Sequence, residues 1–154
     1  MGSGGNPERH RPLLAALADS GCIVVAPHFE RLVSPSPTRD DLLVRARRLK
    51  LALDAVARPG LPVAGVGHSI GGAMLLALAG GEARTRGGDR LPITPDPRLE
   101  RLVIFAPATD FFRGPKALDA VRIPIFAWAG ARDEITPPEQ TQFLRRTLNP
   151  HVPV

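Results

Sequence analysis

The stretch Val66-Gly67-His68-Ser69-Ile70-Gly71-Gly72 decides how this chain is read, because it sets Gly-x-Ser-x-Gly between two apolar segments of different character. Before it, Pro62 to Gly67 is a short apolar run of the kind buried in a parallel sheet. After it, Ile70 to Ala79 is apolar almost all round, as in a buried helix. A serine at such a junction sits on a strained turn with its hydroxyl held out, and the positive end of the following helix lies behind it. Gly67 and Gly71 answer a steric demand, since a side chain two residues before or after the serine would collide across the turn. The five-residue pattern alone occurs by chance. Its strand-turn-helix setting is what makes Ser69 a candidate nucleophile.

Outward from this point the same alternation continues. Asn6, Pro7 and Glu8 write a helix start, and Leu13, Leu14, Leu17 and Ala18 form its apolar stripe as far as Gly21. Cys22 to Ala26 is rich in β-branched residues and predicts a strand covered on both faces. Thr38 and Asp41 resemble a capping box, followed by Leu42, Leu43, Ala46, Leu49, Leu53 and Val56 at helical spacing. Residues 80 to 98 read as a mobile surface loop, Leu99 to Ala106 and Arg122 to Ala129 as strands. Pro138 to Leu148 reads as a helix turning Phe143, Leu144 and Leu148 inward. Buried strands alternating with helices predict an α/β fold, a mostly parallel sheet with helices on both faces, in one domain over residues 1–154.

Composition narrows the function classes. The 154 residues are 44% hydrophobic and 23% charged, which suits one globular domain. A formal charge of +5 raises the question of nucleic acid, but the arginines are scattered, and the densest run, Arg45 to Lys50, reads as a solvated helix face. At 5% aromatic residues and no Tyr, base stacking has little to work with. Cys22 is the only cysteine, so it excludes an internal disulfide and a cysteine-rich zinc site, and its apolar neighbours predict a small buried hydrophobe. No segment reaches roughly eighteen consecutive apolar residues, and Met1 to His10 lacks the apolar core of a signal peptide. A cytoplasmic setting is expected, with no metal or organic cofactor and neither nucleic acid nor membrane as partner.

Three motifs together resemble the α/β-hydrolase superfamily, most nearly its dienelactone-hydrolase-like and esterase-like members. Met1-Gly2-Ser3-Gly4-Gly5-Asn6-Pro7 resembles a His-Gly-x-Gly-Gly oxyanion loop. Gly67-His68-Ser69-Ile70-Gly71 resembles the nucleophile elbow, and Trp128 to Pro138 the turn that carries the acid. Ser69 stands where true dienelactone hydrolases have cysteine. The resemblance implies a serine hydrolase of small acyl substrates. Ser69 is the nucleophile, Asp133 is the carboxylate that orients an imidazole, and the N–H groups of Ile70 and of Ser3 or Gly4 form the oxyanion hole. Glu134 is the neighbour most easily confused with Asp133, and Asp110 is an alternative acid. Only Pro107 to Val121 separate the last two strands, too few for a lid domain, which implies an open site.

The same resemblance expects the catalytic histidine after the acid, in the loop past the last strand. His10 lies on the first helix, His28 follows the first strand, His68 is locked beside the nucleophile, and His151 stands at the entrance of a further strand. None fits the place, so the catalytic imidazole is expected outside this chain. By this matching the chain reads as truncated at both ends, and a strand belongs between Cys22 to Ala26 and Pro62 to Gly67. Its absence would leave two rows of backbone groups unpaired, at about 1–3 kcal/mol for each unsatisfied group. The competing expectation is a catalytically inactive remnant that kept the elbow for packing and serves as a binding module.

Overall fold

The computed structural model describes residues 2–34 and 36–154; Met1, matched above to the histidine of the oxyanion loop, lies outside the described residues, as does Pro35. A 3-10 turn, Pro7–His10, leads into α1 (Arg11–Asp19), and α2 (Arg39–Val56) follows after an extended segment. Then come β1 (Val63–His68), α3 (Ile70–Leu78), β2 (Leu99–Phe105), a 3-10 turn at Thr109–Phe112, β3 (Ile125–Trp128) and α4 (Pro138–Thr147). The three strands form a parallel sheet in the order β1-β2-β3, with Val66 opposite Val103 and Ile104 opposite Ala127.

Local chemistry accounts for the element boundaries. Asn6 accepts a hydrogen bond from the Glu8 N–H at 2.9 Å. Thr38 and Asp41 close a reciprocal capping box on α2, with the Thr38 N–H donating to Asp41 Oδ2 at 2.9 Å. The core lies between the sheet and the helices on one face. Leu42, Leu76, Leu102, Phe112, Leu118 and Leu144 are fully enclosed there, each contributing about 1.5–3 kcal/mol of burial. On this face β1 carries Gly65 and Gly67, which let α3 approach: a Cβ on Gly65 would stand 2.9 Å from Leu75. Strand alternation sends Val66 and His68 to the other face. There His10, just ahead of α1, comes against His68, and Phe126 and Trp128 stay half exposed.

Five expectations need correction. Residues 80–98 are anchored: Ala83 and Leu91 are buried, the Leu91 N–H donates to the Ala83 carbonyl, and the Asp96 N–H to the Leu78 carbonyl. Their glycines shape turns between buried anchor points. The last strand is shorter than Arg122 to Ala129, being confined to Ile125–Trp128. Cys22 is exposed, and Ile23 and Val25 are 51% and 42% exposed. Residues 23–26 are extended but join no strand ladder, and among the described residues their backbone groups make no backbone hydrogen bond. Instead this segment and β1 line a common apolar cavity of about 680 Å³, walled by α1 and α2. Finally, Arg45 leaves the expected solvated helix face and is 3% exposed.

Candidate active site

Ser69 caps α3 with φ 53° and ψ −122°, a conformation that an L-residue adopts only under constraint. Three backbone bonds hold it. Its N–H donates to the Phe105 carbonyl at 2.9 Å, and its carbonyl accepts from Ala73 and Ala108 at 3.2 and 3.3 Å. Gly67 is required: a Cβ there would lie 2.8 Å from the Cα and N of Gly72. The tight neighbour is thus Gly72, one residue beyond the Gly71 named by the pattern. As the first residue of α3, Ile70 has an N–H outside the helical ladder and free to meet a developing negative charge.

The Gly2–Gly5 loop lies directly against this turn. A Cβ on Gly2 would meet His68 Nδ1 at 3.0 Å and Ser69 Cβ at 3.4 Å, so Gly2 is the loop residue that touches the elbow. Ser3 and Gly4 are the next residues of the same turn, which closes with the Gly5 N–H on the Gly2 carbonyl at 3.2 Å. Among the described residues the N–H groups of Ser3 and Gly4 donate to no backbone acceptor.

Sequence reasoning missed what fastens this loop. Arg45, from α2, donates to the carbonyls of Glu30 at 2.8 Å, Gly2 at 3.3 Å and Ser3 at 3.4 Å, and its guanidinium stands 4.9 Å over the Phe29 ring. Burial holds its pKa below the usual value. The clue in the sequence was position: Arg45 lies three residues past the enclosed Leu42 and beside Ala46, on the inward side of α2.

Asp133 lies in the turn after β3, and because the strands are parallel that turn emerges at the same sheet edge as Ser69. Its carboxylate accepts from the Thr136 N–H, the Ile135 N–H and the Thr136 hydroxyl, each at 2.9 Å. The bonds from Thr136, then that from Ile135 and the nearby His68, hold it below the ordinary carboxylate range. Asp133 is therefore an anion at neutral pH. Glu134 is exposed and enters no ion pair among the described residues. Asp110 is paired with Arg113 and is not free to orient an imidazole.

The histidines divide between the two ends of the sheet. His10 comes to 6.0 Å from His68, ring centre to ring centre, on the Ser69 side. Burial lowers the pKa of both; His10 depresses His68 further while Asp133 opposes it, so both rings are neutral at pH 7. His151 is exposed beside Val152 and Pro153, and the Pro153 carbonyl accepts from Ile125 at the start of β3. That is the opposite edge of the sheet from Ser69. His28 is exposed, with its carbonyl bonded to Arg48. No imidazole is hydrogen-bonded to Ser69 or to Asp133 among the described residues.

A parallel sheet, a strained serine between strand and helix, a glycine loop against it and an ionised aspartate on the same edge define an α/β-hydrolase arrangement. The chain belongs to the alpha/beta hydrolase family, whose profile matches residues 2–153. Neither the curated proteins nor the solved structures gave a match. Among the described residues no helix is long and apolar enough to cross a membrane.

Proposed function

We propose that this chain is a serine hydrolase acting on small carboxylic esters or related acyl compounds, in the manner of dienelactone-hydrolase-like and esterase-like members, through an acyl-enzyme. The observation that carries the reading is the strained geometry of Ser69. Such a backbone costs about 1–3 kcal/mol, a strain that clusters at functional sites. In this reading Ser69 Oγ attacks the acyl carbonyl and passes its proton to an imidazole. The oxygen that becomes negative is met by the N–H of Ile70 and by that of Ser3 or Gly4. Collapse expels the alcohol with the proton returned, and water then releases the acid by the same steps. Asp133 orients the imidazole and stabilises it while charged.

Among the described residues no histidine is hydrogen-bonded to Ser69 or to Asp133, and this reading takes the imidazole from outside them. On p-nitrophenyl acetate the chain is accordingly expected to be almost inactive, and free imidazole to restore turnover beyond its own background rate. The increment should vanish in Ser69→Ala and fall in Asp133→Ala. An increment that survives Ser69→Ala refutes the assignment.

That no imidazole is bonded to Ser69 or Asp133 among the described residues, while the Asp133 carboxylate is taken up by Ile135 and Thr136, also favours a second reading, an inactive member kept as a binding module. It predicts that imidazole adds nothing in any of these proteins.

A further inference from the structure

Ser69 follows β1 and Asp133 follows β3, and the strand between them, β2, ends in a segment that is bonded to both sides. The last rung of the sheet is the Ala106 N–H on the Trp128 carbonyl at 2.6 Å, with Ala106 itself strained at φ 43°. Past that rung, among the described residues, the hydrogen bonds between residues 107–113 and residues 129–148 all join Thr109 to Gln140 of α4. The Thr109 N–H donates to Gln140 Oε1 at 2.7 Å, and its hydroxyl donates to the Gln140 carbonyl at 3.0 Å. Both residues are buried, where bulk water does not replace a lost partner.

We infer that Gln140 is a positioning residue that, through Thr109, fixes the Asp133 turn against the Ser69 elbow. The inference rests on the hydrolase reading and deepens it. Each side of the link is stiff. Ala108, next to Thr109, donates its N–H to the Ser69 carbonyl at 3.3 Å, and Pro107 packs on the elbow so closely that a Cβ on Gly72 would meet it at 3.3 Å. On the other side the Asp133 carboxylate holds the Ile135 N–H and the N–H and hydroxyl of Thr136. Pro137 and Pro138 then restrict two successive φ angles, and the Gln140 N–H donates to the Pro137 carbonyl at 2.9 Å. With little freedom left between Ser69 and Thr109, or between Gln140 and Asp133, the Thr109–Gln140 bonds set the spacing of the two turns. Gln140 makes no hydrogen bond to Ser69 or Asp133 and takes no part in proton transfer. A shift of about 1 Å between reacting groups can cost about 100-fold in rate. Because Asp133 only orients an imidazole, the loss on cutting this link is bounded by the loss on removing Asp133 itself.

The test combines Ser69-dependent, imidazole-supported hydrolysis of p-nitrophenyl acetate by the full chain with amide hydrogen exchange. Gln140→Met keeps the length of the side chain and removes the oxygen that Thr109 uses. It should lower the imidazole increment at least fivefold in the parent but less than twofold in Asp133→Ala, where no acid is left to misplace. Exchange at Thr109, Ala108 and Thr136 should quicken at least tenfold relative to Leu102, whose N–H is held within the sheet. Gln140→Glu, which keeps an accepting oxygen, should restore most of both. Thr109→Val, a milder cut that removes only the hydroxyl bond, should show the same dependence on Asp133 at smaller size. Leu148→Ala, buried at the far end of α4, should lower stability with no loss that depends on Asp133. Equal losses with and without Asp133, or faster exchange at Thr109 alone, would overturn the inference and leave Gln140 a purely structural residue. If the parent shows no increment, the hydrolase reading alone fails, and exchange at Ala108 and Thr136 still decides whether Gln140 holds the two turns together.

Discussion

Replacing Arg45 by Met should both destabilise the protein and loosen the loop beside Ser69. Of the three carbonyls that Arg45 reaches, two keep another donor: Gly2 still accepts from Gly5, and Ser3 from Leu32 at 2.9 Å. Only the Glu30 carbonyl, bonded at 2.8 Å, loses its one protein partner. A good bond from a charged donor is worth about 1.5–3 kcal/mol, and the two longer ones add less. Against this, Met removes a buried charge and fills much of the same volume, which returns part of the loss. The net expectation is about 2 kcal/mol. With a urea m-value of about 2 kcal/mol/M, this lowers the unfolding midpoint by about 1 M, measured by circular dichroism at 222 nm. Arg45→Lys keeps the charge but not the fork, and should fall between. A midpoint within about 0.2 M of the parent would refute the claim that Arg45 fastens the loop.

Gly67→Ala should cost about 1–3 kcal/mol, because its Cβ would fall 2.8 Å from the Gly72 backbone, and thermal unfolding followed by circular dichroism checks this. Thr38→Ala should lose about 1 kcal/mol of helix capping at pH 7. The pKa of Asp41 is depressed, so its share of that stability is complete above about pH 4 and fades as pH falls through its lowered value, which urea titrations from pH 7 to pH 2 would follow. His68 also has a lowered pKa. The unfolded chain therefore takes up a proton first, and stability should decline as pH drops below about 6.5, a slope that His68→Gln should reduce.

Much of this arrangement was legible because local chemistry and burial agreed. The capping box of α2, the all-round apolar α3 and Gly67 at the elbow are each formed as their local chemistry dictates. What escaped the sequence depended on distant partners. Cys22 to Ala26 has the composition of a buried strand, but ladder bonds need a neighbour, and here the neighbouring space is a cavity. Arg45 sits in a basic run that looks solvated until the carbonyls of Gly2, Ser3 and Glu30 are folded over it. Residues 80–98 look loose because what pins them, such as the Phe111 carbonyl that accepts from Arg84, comes from elsewhere in the chain. The motif points to Asp133, but the ionised state of that carboxylate comes from the turn formed by Ile135 and Thr136.

The central claim is that the fold presents Ser69 as a nucleophile, and covalent labelling reads this most directly. The full chain would be incubated with a fluorophosphonate at pH 8 and the adduct located by intact-mass and peptide mass spectrometry. The account predicts a single adduct on Ser69, formed slowly, accelerated by free imidazole and absent from Ser69→Ala. Labelling that is equal in Ser69→Ala, or no adduct even with imidazole present, would contradict it.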